Sequence, residues 1–137
     1  AGPAGITLYT AGAVKEIPDV RTYVSVNGGM VDNPRYILYQ AEYEALVANK
    51  ANEEKTEVIT LAGRCCESGD LIGENMPIQK VEPGDIIAVL ATGAYNYSMS
   101  SNYNRLPKPA VVMVKGGKTR VAVKRETLED IIRNDVV

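Results

Sequence analysis

The residues best equipped for chemistry are contiguous. Cys65-Cys66-Glu67-Ser68-Gly69-Asp70 sets a thiol beside a carboxylate in a glycine-containing loop that follows an apolar run. A thiol can deliver a proton, and a carboxylate can hold an ammonium group. Two further groups accompany it. Asn33-Pro34-Arg35 through Tyr39 carries a guanidinium and a phenol four residues apart, a combination that suits a carboxylate. The two share a face only if a helical turn intervenes. Thr92-Gly93-Ala94-Tyr95 leaves a phenol behind two small residues that let a ligand approach the backbone.

Each group also has a plainer reading. Free cysteine is among the most buried residue types. An Arg beside a Tyr is an ordinary surface pair, and the Tyr-Ser-Asn stretch through Tyr97 and Tyr103 fits a solvated, capped loop as well as a binding surface. Gly28-Gly29 reads as a turn rather than a phosphate cradle. For Cys66 the polar run Glu67, Ser68, Gly69 and Asp70 argues for a loop, because a core would not tolerate it. Cys65 is then the better core thiol.

Composition narrows the classes. A chain of 137 residues, 45% hydrophobic, suits one compact domain. With no Trp or Phe, its core must be aliphatic, and eight Tyr supply rings with polar ends. Fifteen basic against seventeen acidic residues give a net charge of -2 without a basic block, which argues against nucleic acid as a partner. No apolar run approaches the ~20 residues that span a bilayer, and no leader pattern opens the chain, so a cytoplasmic location without membrane contact is expected. Two adjacent Cys are expected as free thiols in a reducing compartment. The absence of His removes the usual base and makes a metal site improbable on ligand chemistry, so none is expected.

The elements that must position these groups are mostly strands. Alternation marks Ile6 to Val14 and Thr22 to Val26, and the alternating Tyr39 to Val47 is read as a strand despite its Glu and Ala content. Thr56 to Ala62 is β-branched and apolar, suited to a strand buried on both faces that runs into the Cys-Cys-Glu loop. Pro83-Gly84-Asp85 predicts a type II turn before Ile86 to Leu90. Gly116-Gly117 predicts a two-residue hairpin joining Ala110–Val114 to Thr119–Val123. Thr127 with Asp130 makes a capping box for one short C-terminal helix. Together these predict an all-β, mainly antiparallel fold: a closed or nearly closed Greek-key-type β-barrel with a short C-terminal helix.

Taken in order, Asn33-Pro34-Arg35-Tyr36-Ile37-Leu38-Tyr39, Cys66-Glu67-Ser68-Gly69-Asp70, Thr92-Gly93-Ala94-Tyr95-Asn96-Tyr97 and Ser101-Asn102-Tyr103-Asn104-Arg105 resemble the C-terminal domain of the diaminopimelate decarboxylases, in the fold III group. The likeness runs from Ala4-Gly5-Ile6-Thr7-Leu8-Tyr9 to Arg125-Glu126-Thr127. It implies that residues 1–137 are the β-barrel domain of a two-domain enzyme. The N-terminal partner would be a TIM barrel binding pyridoxal 5'-phosphate covalently through a lysine, upstream of Ala1. The whole would pair as a homodimer sharing its active sites between subunits. The resemblance further implies that Arg35 and Tyr39 bind a substrate carboxylate, and that Tyr95 contacts substrate and cofactor.

By the same likeness, Cys66 and Glu67 enter the neighbouring subunit's site, Glu67 holding the substrate's distal ammonium. After carbon dioxide leaves, an acid must protonate the carbon. An ordinary thiol, with a pKa of about 8.5, is mostly protonated at neutral pH and needs no prior activation for that task. One departure is Asn27, where relatives commonly carry Asp. The expected reaction is meso-diaminopimelate to L-lysine and carbon dioxide, with the isolated domain inactive. The rival readings are a decarboxylase of another basic amino acid and a free-standing barrel that binds ligand or protein.

Overall fold

A computed structural model describes residues 1–136. Eight strands form, in chain order: β1 (Thr7–Ile17), β2 (Arg21–Val26), β3 (Ala45–Val47), β4 (Glu57–Ala62), β5 (Leu71–Ile78), β6 (Ile86–Val89), β7 (Val111–Lys115) and β8 (Lys118–Val123). Three short α-helices, besides single 3-10 turns, accompany them among the described residues: α1 (Arg35–Tyr39), α2 (Asn96–Met99) and α3 (Leu128–Ile132). Strands β3-β6-β1-β2-β4-β5 make one sheet and β7-β8 a separate ribbon. Every pairing is antiparallel except β2 with β4. That one parallel pair needs a long crossover, and residues 27–56, with α1 and β3, supply it.

The sheet curls until its edges β3 and β5 meet, nearly closing a barrel. β1 makes one corner: its Thr7–Thr10 half pairs with β6, whereas Ala11–Ile17 pairs with β2. Between Ala11 and Val14 the register slips by one residue, and the Ser25 hydroxyl oxygen accepts the Ala13 N–H at 2.8 Å in the bulge. At the open seam a side chain replaces the ladder. The Gln79 Oε1 accepts the Val47 N–H at 2.9 Å, wholly buried. Inside lie Val24, Val47, Ile59, Leu61, Ile72 and Ile78, none more than 1% exposed.

Several local expectations hold. Asp85 N–H donates to the Glu82 carbonyl at 3.1 Å with Gly84 at φ 93°, the geometry of a type II turn. Gly116 and Gly117 adopt φ 56° and 72°, as a type I′ hairpin requires. The capping box of Thr127 and Asp130 closes the N-terminus of α3. Thr60 and its neighbours Ile59 and Leu61 are buried on both faces, although Val58 is 59% exposed.

The continuous strand expected over Tyr39 to Val47 does not form. Tyr39 ends α1, Gln40 turns at φ 54°, and only Ala45–Val47 finds a partner, in β6. Burial does alternate from Ala41 to Val47, so the pattern reported an extended chain lying half against the core. Extension alone is not a strand; a ladder partner is needed as well. α1 and α2 escaped prediction because helices of five and four residues are too short to show a period or to form without tertiary support.

Candidate functional site

α1 supplies the turn that brings Arg35 and Tyr39 to one face. Pro34 stands just ahead of it, and the buried Asn33 accepts the Arg35 N–H on Oδ1 at 3.3 Å. The Arg35 guanidinium carbon lies 6.0 Å from the centre of the Tyr39 ring and 5.0 Å from that of Tyr95. At such separations a cation is drawn to the ring quadrupole. Both rings are largely exposed, so the cluster sits on the surface. Among the described residues no carboxylate comes within ion-pair distance of Arg35.

Tyr95 occupies φ 71°, ψ -33°, a conformation that costs a non-glycine residue about 1–3 kcal/mol. Its neighbour Asn96 is buried and accepts a hydrogen bond from the Tyr43 hydroxyl at 3.4 Å, which ties this loop to the core. Gly93 does not open the backbone to a ligand as expected. A Cβ there would stand 2.4 Å from the Ala1 carbonyl oxygen and 2.8 Å from the Gly5 nitrogen, so its smallness admits the protein's own opening turn.

The Cys-Cys-Glu loop follows β4 directly, but its anchor is buried. Asp70, expected as part of a solvated polar run, is 3% exposed. Its Oδ1 accepts the Met30 N–H at 2.6 Å and its Oδ2 accepts the Cys65 N–H at 2.7 Å. Gly29 and Gly63 flank it so closely that a Cβ on either would fall 2.5 or 2.1 Å from a carboxylate oxygen. A buried carboxylate is tolerated because backbone donors replace water. Sequence reasoning missed this role; the glycines preceding Met30 and Arg64 were its one visible signal.

Cys65 is half-buried and Cys66 exposed, both free. Burial, reinforced by the Asp70 charge, pushes the Cys65 thiol up to about 11. Cys66 is held by its backbone: its N–H donates to Asn104 Oδ1 at 2.8 Å, and its carbonyl accepts from the Tyr103 hydroxyl at 3.4 Å. Glu67 is exposed and accepts from the Ser68 hydroxyl at 3.3 Å. Thus Arg35, Tyr39 and Tyr95 come together, whereas Cys66 and Glu67 stand on another loop. Among the described residues no hydrogen bond, ion pair or ring contact joins the two groups.

Asn27 has a structural task. Its N–H and Oδ1 both bond the Thr10 backbone, at 3.2 and 2.9 Å, which a neutral amide does without charge. The Arg35 group offers a cation and two phenols, a donor set that fits an anionic cofactor or substrate lying against it. Among the described residues no lysine ammonium is hydrogen-bonded within either group; Lys50 and Lys55 are engaged with Asp85 and Glu44 instead. No cluster of metal-ligating side chains occurs among the described residues, and no helix there is long and apolar enough to cross a membrane.

Residues 3–93 match the family described as pyridoxal-dependent decarboxylase, C-terminal sheet domain. A diaminopimelate decarboxylase of Bacillus subtilis (strain 168) is 53% identical over 135 residues, 98% of this chain and 31% of its own length. One from Synechocystis is 51% identical over 134 residues, 98% of this chain and 29% of its own. Among solved structures, diaminopimelate decarboxylase from M. jannaschii in complex with L-lysine superposes with a TM-score of 0.89 at 34% identity, over 99% of this chain and 31% of that one. The Helicobacter pylori enzyme complexed with L-lysine gives 0.85 at 32% identity, over 96% of this chain and 32% of that one. The chain spans about a third of the length of the curated relatives it matches.

Proposed function

The chain belongs to the family of pyridoxal-dependent decarboxylase C-terminal sheet domains, and on that membership we propose that it is the substrate-binding, dimer-forming barrel of an enzyme that converts meso-diaminopimelate to L-lysine and carbon dioxide. What carries this reading is the Arg35 guanidinium, framed by Tyr39 and Tyr95 and paired with no carboxylate of the described chain. A guanidinium so placed is a ready partner for an incoming carboxylate. The two rings restrict its swing, which lowers the entropy lost on binding.

Pyridoxal phosphate, when bound, supplies the electron sink for decarboxylation. This chain's part is to hold the substrate and move a proton. Arg35 and Tyr39 grip a carboxylate, and the Tyr95 phenol, beside that cation, donates a hydrogen bond to the cofactor or substrate. Glu67, exposed on its loop, receives the distal ammonium in this reading. Cys66, its backbone pinned by Asn104 and Tyr103, presents a thiol that protonates the substrate carbon once carbon dioxide has left. The separation of the two loops is consistent with a homodimer in which each copy lends Cys66 and Glu67 to the other's site. The covalent lysine then belongs to an N-terminal TIM barrel of the same polypeptide, in a cytoplasmic enzyme.

The test is carbon dioxide release from meso-diaminopimelate with added pyridoxal phosphate. The 137-residue chain alone should give none, and a polypeptide joining it to the TIM barrel should turn over. In that longer enzyme Arg35→Ala should raise KM by about 10- to 100-fold, the loss of a charge-assisted pair. Cys66→Ser should lower kcat by about 10²-fold or more, the range for a removed general acid. Full turnover by the isolated chain, or an Arg35→Ala enzyme with unaltered KM, would overturn the reading. Comparing kcat/KM for substrates with and without the distal carboxylate separates diaminopimelate from other basic amino acids.

A further inference from the structure

Glu74 lies outside every group considered so far, yet its carboxylate is fully engaged. Oε2 accepts from the Tyr36 hydroxyl at 2.5 Å and Oε1 accepts from the Arg21 guanidinium. The strand carrying it is irregular at that place. Ile59 pairs with Met76 but Leu61 with Gly73, so β5 spends one residue more than β4 across the same interval. Asn75 takes φ 52° within it. Bulges of this kind re-aim side chains and break the strict alternation of a strand. Here the side chain re-aimed is Glu74, and it meets α1.

We propose that Glu74 is the positioning residue that fixes the Arg35 guanidinium over the Tyr95 ring; its functional weight rests on the reading of Arg35 as the carboxylate grip. α1 has five residues, too few to hold its shape by backbone bonds alone. Adjacent residues of a helix project about 100° apart, so tethering Tyr36 to the sheet sets the rotation of α1 and with it the direction of Arg35. Arg21, on β2, holds the other carboxylate oxygen, so the chain of contacts runs from the barrel wall through Glu74 to Tyr36 and its neighbour. Among the described residues no hydrogen bond or ion pair joins Glu74 to Arg35, and it acts through Tyr36.

The experiment compares Glu74→Gln, Tyr36→Phe and the double variant by two readouts. In the protein, the δ-proton resonances of Arg35 should lie upfield under the two rings, and each variant should move them towards those of an unstacked arginine. Methyl resonances of Val24, Ile59 and Leu61 report whether the core is intact. In the longer enzyme each single variant should raise KM by about tenfold, the equivalent of one charge-assisted hydrogen bond, with kcat held within about twofold. The double variant should be no worse than either single one, because both remove the same link. Arg35 resonances that stay in place in both single variants, with the core intact, would overturn the proposal. Resonances that move while KM does not would uphold the link and instead remove Arg35 from substrate binding.

Discussion

Replacing Asp70 by Asn changes one atom and should be among the most damaging conservative substitutions in the protein. The carboxylate accepts two backbone N–H groups, Met30 at 2.6 Å and Cys65 at 2.7 Å, inside a socket walled by Gly29 and Gly63. Asn fits the socket but keeps a single acceptor, so its amide nitrogen must face one of the two N–H donors. Leaving a buried N–H without a partner costs about 1–3 kcal/mol, and the surviving bond loses its charge assistance, about 1 kcal/mol more. The expected loss is therefore about 2–4 kcal/mol, read as a fall of about 1–2 M in the midpoint of urea unfolding. A loss below about 0.5 kcal/mol would show that Asp70 does not organise the loop, and the account of how Cys66 is presented would fail with it.

Other outcomes follow from the same structure. With iodoacetamide at mildly alkaline pH, Cys66 should be alkylated well before Cys65, which is half-buried with a thiol pushed up to about 11; peptide mass spectrometry reads the order, and equal rates would refute it. In Asp70→Asn the pH profile of Cys65 alkylation should shift part-way down, since burial, the larger cause, remains. Tyr95→Gly should be more stable than Tyr95→Ala by about 1–2 kcal/mol, because φ 71° strains any residue with a Cβ; equal stabilities in urea would refute the strain. Asp85 is pushed up by burial, but the Lys50 ammonium at 2.8 Å, the Asn49 amide and the Glu82 N–H overcome this and hold its carboxyl below the usual range. A depressed carboxyl stabilises the fold above the unfolded pKa of about 3.9 and loses that contribution as pH falls through the lower folded value. Unfolding midpoints measured from pH 5 down to pH 2 should therefore fall for the parent more steeply than for Asp85→Asn.

How far the sequence could be read depended on the range of each signal. The Gly116-Gly117 ribbon, the Glu82–Asp85 turn and the Thr127 capping box are set within four residues, and all three form. The barrel strands were legible wherever apolar residues had to enter a core. Failures began where a contact across the chain decided the outcome. Tyr39 to Val47 alternates because it skirts the interior, but whether it pairs is settled by β6, some forty residues on. Arg35, Tyr39 and Tyr95 could be named singly. Their convergence rests on α1 and on the twisted backbone at Tyr95, which no local pattern encodes. Asp70 and Glu74 were misjudged or passed over because a carboxylate in a sequence looks solvated, and only the fold reveals the donors that capture it.

The β7–β8 ribbon stands apart from the barrel with Val112, Met113, Val114 and Val121 in solvent. Its outer margins present backbone donors and acceptors to which another extended segment could attach. Between Val111 and Lys124 the chain carries Lys115, Lys118, Arg120 and Lys124 and not one acidic residue, although the protein as a whole is net negative. Two such ribbons laid side by side would bring cation against cation along their length. The same feature that leaves aliphatic side chains uncovered thus guards the protein against clumping, and the guard should weaken as added salt screens it.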